Sequence, residues 1–379
     1  MLYTRRDVGK LALASVPLSM AFGAKINSKI DGVQLGAISY SFNTLERPDP
    51  MAIVKAYVDI GLGECELMSN HCESLAGAPA MPTPAFGGGG GGRARGAAGG
   101  PGGAPGAPGA MAAPGAAPGQ MPAGASGAAP GAPGAGRGQG RGAGGGRAPL
   151  TPEQQAAREE AQKKLTDWRA AATAATWKAV TKKFNDAGIK IAVLCYNMQD
   201  SMKDDDIEFG FKMAEGLGVK YISTSTTLTM AKRIAPIADK HKLMVGYHGH
   251  DATNDPNQTA TLESYDTLMA YGKYNGINLD IGHFTAANYD AVDFITKHHD
   301  RITNLHIKDR RKDHGPNVFP WGTGDTPIKP VLQLLKKNKY PFPANMELEG
   351  FNQYTAAQNN MSVVDLGKQC FAYLKTCLA

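Results

Sequence analysis

Eight short runs of β character alternate with helical stretches along this 379-residue chain, and most of the runs are apolar without a break. Once two atypical segments are set aside, roughly 280 residues remain, close to the ~250 of a single barrel domain. Together these observations predict an α/β fold in which a parallel sheet covered on both faces closes into a (β/α)8 barrel. An open doubly wound sheet is the alternative.

The first atypical segment is residues 1–24, MLYTRRDVGKLALASVPLSMAFGA. It carries Arg5, Arg6 and Lys10, a short apolar stretch and small residues near Ala21 to Ala24, the pattern of an export signal. The paired arginines resemble a twin-arginine signal, whose cargo crosses already folded, so a periplasmic or otherwise exported bacterial protein is expected. The alternative is an ordinary signal or an uncleaved anchor. The apolar stretch is short for a bilayer, and no membrane span is expected after signal removal.

Residues 25–76 hold the first part of the barrel: VQLGAISYS (33–41), a helical stretch from Pro50 to Ile60, and GECELM (63–68). Residues 77–147 then collapse into Gly, Ala and Pro with no acidic residue. Such a composition buries too little apolar surface to offset its ordering entropy, so a disordered insertion after the second strand is expected. Its GGGGGG run follows no strand and precedes no GK[ST], which argues against a phosphate loop, and its glycines lack collagen's period of three. Residues 148–379 supply the rest. A helix opens at TPEQ, a good N-terminal cap. IKIAVLCYN (189–197) follows the helix stop DAG, VKYISTST (219–226) follows GLG, and LMVGYHGH (243–250), INLDIGH (277–283), ITNLHIKD (302–309) and ANMELEG (344–350) complete the eight.

The formal charge of +6 belongs to the tails, because the insertion and the signal carry the surplus arginines. The core is near neutral, so a nucleic-acid-binding face is not implied. Five cysteines without CxxC spacing imply neither a zinc knuckle nor a disulfide framework.

A barrel places its chemistry at the C-terminal ends of its strands. There the chain has Glu66 in the second run, His248 and His250 in the fifth, Asp280 and His283 in the sixth, His306, Lys308 and Asp309 in the seventh, and Glu347 and Glu349 in the eighth. Residues two apart share a strand face, so His248 and His250, His306 and Lys308, and Glu347 and Glu349 form same-side pairs. A lone histidine at such a place reads as a core residue with a satisfied hydrogen bond. So many buried charges, however, must pair with one another or with a cation, and a divalent metal is the simplest partner.

LMVGYHGHD, NLDIGH, NLHIKDRR and MELEG, in this order, resemble the sugar phosphate isomerase/epimerase proteins with the xylose isomerase-like barrel, from Leu35 to the C-terminus. The resemblance implies one divalent metal held by residues of strands five to eight, which fall here on Asp280, His306 and Glu347. Where the keto-sugar epimerases have glutamate in the first position, this chain has His248. Two imidazoles and two carboxylates suit manganese, cobalt or zinc better than magnesium or calcium. The implied activity is proton abstraction next to a metal-chelated carbonyl of a small carbohydrate: isomerisation, epimerisation, or a lyase or hydratase step on a keto-sugar or glycoside. Glu347, His250 and Lys308 are the candidate acid–base groups. Glu66, His283, Asp309, Glu349 and Trp321 are candidate substrate contacts. Each has a plainer reading: an ion pair for Glu66, a core histidine for His283, an internal salt bridge for Lys308 and Asp309, packing beneath a loop for Trp321. A non-catalytic sugar-binding or scaffold protein and a three-zinc endonuclease are the competing classes, and an oligomer is compatible with either an enzyme or a scaffold.

Overall fold

Eight strands run parallel in chain order, and in the computed structural model they close on themselves. They are β1 (Val33–Ile38), β2 (Glu64–Met68), β3 (Lys190–Cys195), β4 (Tyr221–Thr224), β5 (Met244–His248), β6 (Asn275–Asp280), β7 (Ile302–Ile307) and β8 (Ala344–Met346). Each pairs with the next, and β8 pairs back onto β1 with Leu35 opposite Ala344 and Ala37 opposite Met346. The sheet is a closed (β/α)8 barrel. A two-residue strand, Lys29–Ile30, adds antiparallel to β1.

The structure describes residues 25–81, 150–350 and 361–379. The export signal read in residues 1–24, and all of the Gly/Ala/Pro segment beyond residue 81, lie outside the described residues. By contacts the chain divides into a unit of residues 1–82 with 158–379 and a unit of residues 83–157. Of the second, the described part is residues 150–157, where Thr151 and Gln154 form the capping box that TPEQ predicts: Gln154 N donates to Thr151 Oγ1 at 3.2 Å and Thr151 N to Gln154 Oε1 at 3.0 Å. Among the described residues no helix is long and apolar enough to cross a membrane.

Burial on both faces explains the unbroken apolar runs, since every residue of β6 and β7 is buried. The outer helices are amphipathic. Helix Ile328–Asn338 turns Ile328, Val331, Leu332 and Leu335 inward, each stabilising by about 1.5–3 kcal/mol. The interior between β1 and β8 is tight: a Cβ at Gly36 would meet Asn345 Oδ1 at 2.5 Å.

Three runs end earlier than apolar continuity suggests. β6 stops at Asp280, whose Oδ1 accepts the backbone N–H of His283 at 2.8 Å and starts the short helix Ile281–Ala286. β7 stops at Ile307 and β8 at Met346, which leaves Lys308, Asp309, Glu347 and Glu349 on the rim rather than within strands. Continuity of apolar character marks burial, and burial continues past the last ladder hydrogen bond. The five cysteines are buried and free.

Candidate metal centre

The ends of the last four strands converge. His248 ends β5, Asp280 ends β6, His306 is the penultimate residue of β7, and Glu347 follows β8; all four are buried. One donor atom from each lies within 4.8 Å of the others. His248 Nε2 stands 3.9 Å from Asp280 Oδ2, and His306 Nδ1 stands 3.0 Å from Glu347 Oε2. Two of these buried polar groups lack a hydrogen-bond partner among the described residues, His248 Nδ1 and Asp280 Oδ2. For Asp280 Oδ2 the Lys308 ammonium is 3.0 Å away, but without hydrogen-bond geometry. Unmatched donor atoms in a cluster of two imidazoles and two carboxylates fit a divalent cation of the manganese, cobalt or zinc type.

The electrostatics suit ligand roles directly for His248 and Glu347. Burial pushes the His248 imidazole well below its ordinary pKa, reinforced by His306 and His250, so it is neutral as a ligand must be. Burial alone would push the Glu347 carboxyl up, but Lys308 and His306 outweigh it and hold the carboxylate ionised. His306 lies between Glu66 and Glu347; burial lowers it, the two carboxylates more than reverse this, and it is pushed up to about 10, so without an ion it is an imidazolium that must give up one proton to act as a ligand.

Lys308 closes the cluster from above. Its ammonium is buried, 2.8 Å from Glu347 Oε2 and 2.6 Å from Glu349 Oε2, as well as beside Asp280. Burial disfavours its charge, but Asp280, Glu347 and Glu349 outweigh burial and hold the pKa well above the ordinary lysine value. Lys308 is therefore a fixed cation that can hydrogen-bond to developing negative charge and is suited neither to abstract a proton nor to give one up. Lys308 thus makes the internal salt bridges of its plainer reading, with Asp280, Glu347 and Glu349.

A cavity of 170 Å³ opens above the cluster. His250, just past β5, lines it and packs edge-on against His248 and His283 with ring centroids 4.8 and 5.2 Å away. Burial, then His283 and Lys308, push His250 below its ordinary pKa, so it faces the cavity as a neutral imidazole. His283 and Glu349 also line the cavity, with His283 Nε2 3.6 Å from Glu349 Oε2. On its far side His283 Nδ1 is 2.9 Å from Asp251 Oδ1, and Asp251 is itself clamped by Arg310 Nη1 and Nη2 at 2.9 and 3.1 Å.

Three expected substrate contacts are placed elsewhere. Glu66 is fully buried beneath the cluster and does not line the cavity. Asp309 is buried and accepts the backbone N–H groups of Gly322 and Gly324, each at 2.8 Å, and of Thr326 at 3.3 Å; it anchors the loop after β7. Trp321 is 5% exposed and lies under that loop beside Phe319, outside the cavity lining. His71, in the helix after β2, is buried, with Nδ1 2.9 Å from Ser39 Oγ, and does not line the cavity. Conversely, Tyr40, Asn197 and Ser225 line the cavity and escaped notice in the sequence. Each follows the end of an earlier strand, so carrying the strand-end rule through β1, β3 and β4 would have found them.

Fold and site together define a closed (β/α)8 barrel whose polar cluster at the C-terminal face could hold a metal ion. The chain belongs to the xylose isomerase-like TIM barrel family, whose model matches residues 159–365. It is 32% identical to the inosose dehydratase of Lactiplantibacillus plantarum over 123 residues, 27% of this chain and 39% of that protein. To the inosose dehydratase of Geobacillus kaustophilus it is 28% identical over 143 residues, 36% of this chain and 44% of that one. The chain thus spans less than half the length of these curated relatives. A crystal structure of the probable 3-DHS dehydratase AsbF of Bacillus anthracis superposes with a TM-score of 0.51 at 13% identity, covering 90% of this chain and 98% of that one, which is a likeness of fold.

Proposed function

We propose that the chain is a divalent-metal-dependent enzyme acting on a sugar or keto-sugar, and that its reaction is a lyase-type loss of water or alcohol next to a carbonyl. The observation that carries the proposal is the convergence of His248, Asp280, His306 and Glu347 on one point under a polar cavity. The names of the relatives, dehydratases of an oxidised cyclitol, favour elimination over isomerisation.

A manganese, cobalt or zinc ion held by these four residues would polarise a carbonyl and its neighbouring hydroxyl and so acidify the adjacent C–H. The chain's own groups then divide the proton work. His250, neutral and turned to the cavity, takes the C–H proton on an imidazole nitrogen. Lys308, held charged, steadies the departing or enolate oxygen with a hydrogen bond from Nζ, and the protonated His250 passes its proton to the departing oxygen. His283, braced by Asp251, and Glu349 hold substrate hydroxyls on the other side. With His248 in place of a carboxylate, bases on both faces of the substrate carbon are not supplied by the ligands, which favours one-sided elimination over epimerisation. Export to the periplasm, proposed from the paired arginines, would suit breakdown of oxidised glycosides.

Metal analysis of protein purified without chelator, beside His248→Ala and Glu347→Ala, tests the centre. The wild type should hold about one ion per chain and both variants should lose it. Inososes and oxidised glycosides deuterated at the carbon next to the carbonyl then test the reaction: a turned-over product that keeps all of that deuterium at that carbon would refute proton abstraction.

A further inference from the structure

Glu66 is fully buried at the floor of the barrel, and the chemistry above makes no use of it. Its carboxylate gathers donors from four other strands. Oε2 accepts from Asn304 Nδ2 at 2.8 Å, Asn345 Nδ2 at 2.9 Å and His306 Nε2 at 2.8 Å. Oε1 accepts from Ser223 Oγ and, at 3.4 Å, from Asn278 Nδ2. An apolar side chain would fill this floor without the several-kcal/mol cost of a buried charge, so the charge calls for a reason beyond packing.

The reason lies in His306. Asn278 Nδ2 also approaches His306 Nε2, at 3.2 Å, but an amide N–H and an imidazole N–H cannot both donate into one contact. A charge-assisted bond is about twice as strong as a neutral one, so the Nε2 proton goes to Glu66. The opposite nitrogen, Nδ1, is then the one turned toward Glu347 and the cluster. The hydroxyl and three amides fix the plane of the carboxylate, and the carboxylate fixes the plane of the ring.

We infer that Glu66 is a positioning residue of the metal centre, holding His306 in the ring orientation and tautomer that offers Nδ1 to the cation. The inference rests on the metal reading proposed above. Partners of this kind typically change metal affinity 10–100-fold when replaced. Glu66→Gln keeps the shape and removes the charge.

The test is zinc affinity, measured by chelator competition on wild type and Glu66→Gln, with thermal unfolding recorded alongside and nitrogen-15 NMR of the zinc-loaded wild type. Glu66→Gln should bind zinc at least about 10-fold more weakly. In the wild type, zinc should sit on His306 Nδ1 with the proton on Nε2. A variant that loses stability but keeps wild-type zinc affinity makes Glu66 merely structural and overturns the inference while leaving the metal centre standing. If the variant does not fold, the NMR decides, and zinc on Nε2 overturns the inference. A wild type that binds no zinc, manganese or cobalt removes the metal reading and this inference with it.

Discussion

Replacing Lys308 with Met removes the only ammonium that the described residues place among Asp280, Glu347 and Glu349. At separations of 2.8 and 3.0 Å and an effective dielectric near 20, the two pairs within the cluster are each worth ~6 kcal/mol before desolvation. Most of that is offset by the cost of burying the charges, and breaking a buried pair typically leaves a net loss of about 3–5 kcal/mol. For a barrel this size such a loss lowers Tm by roughly 10 °C. A divalent ion at the same carboxylates supplies the missing positive charge, so the loss should shrink when metal is added. The assay is thermal unfolding of wild type and Lys308→Met, each with chelator and with manganese or zinc at one fixed concentration, about 100 times the wild-type Kd, which alone adds ~2.7 kcal/mol to the wild type. Metal should stabilise the variant more than the wild type. Equal stabilisation of both, or a metal-free variant as stable as the wild type, would refute the argument that Lys308 and the metal answer to the same carboxylates.

Glu64, buried at the start of β2, has its pKa pushed up to about 7 by burial, against the pull of Lys190, Lys25 and Lys29. A raised carboxyl favours the neutral form, so folding stability is full below about pH 4.5 and falls as pH rises through 7, by ~3 kcal/mol. Glu64→Gln should recover most of that at pH 8 and nothing at pH 4, and an equal effect at both pH values in urea titrations would sink the explanation. Asp309→Ala strands three backbone N–H groups of the loop after β7; it should cost about 2–4 kcal/mol and open residues 316–326 to limited proteolysis, with protection unchanged as the contrary result. Phe184→Ala, at a fully buried site in contact with Tyr57, should cost about 3–5 kcal/mol in denaturant unfolding; under 1 kcal/mol would mean the site collapses or is not core.

The eight runs, their order and the strand-end residues could be read from the sequence because burial on both faces leaves an unbroken apolar signature, while closure itself was settled by the pairing of β8 with β1. That placed His248, Asp280, His306 and Glu347 on one rim, since strand ends of a closed barrel have only one rim to share. The tertiary structure decided the partners. Glu66 meets His306 across 240 positions of sequence, and Asp251 finds Arg310 and His283 across 59 and 32. A two-residue period says which face a side chain takes but not how far a long one reaches, nor what it meets there. For that reason Glu66 and Asp309, alike in the sequence to cavity residues, turned out to be the supports of a ring and a loop. Lys308 likewise became a fixed cation, because three carboxylates from the ends of two other strands, β6 and β8, surround it, and no local pattern encodes their distance.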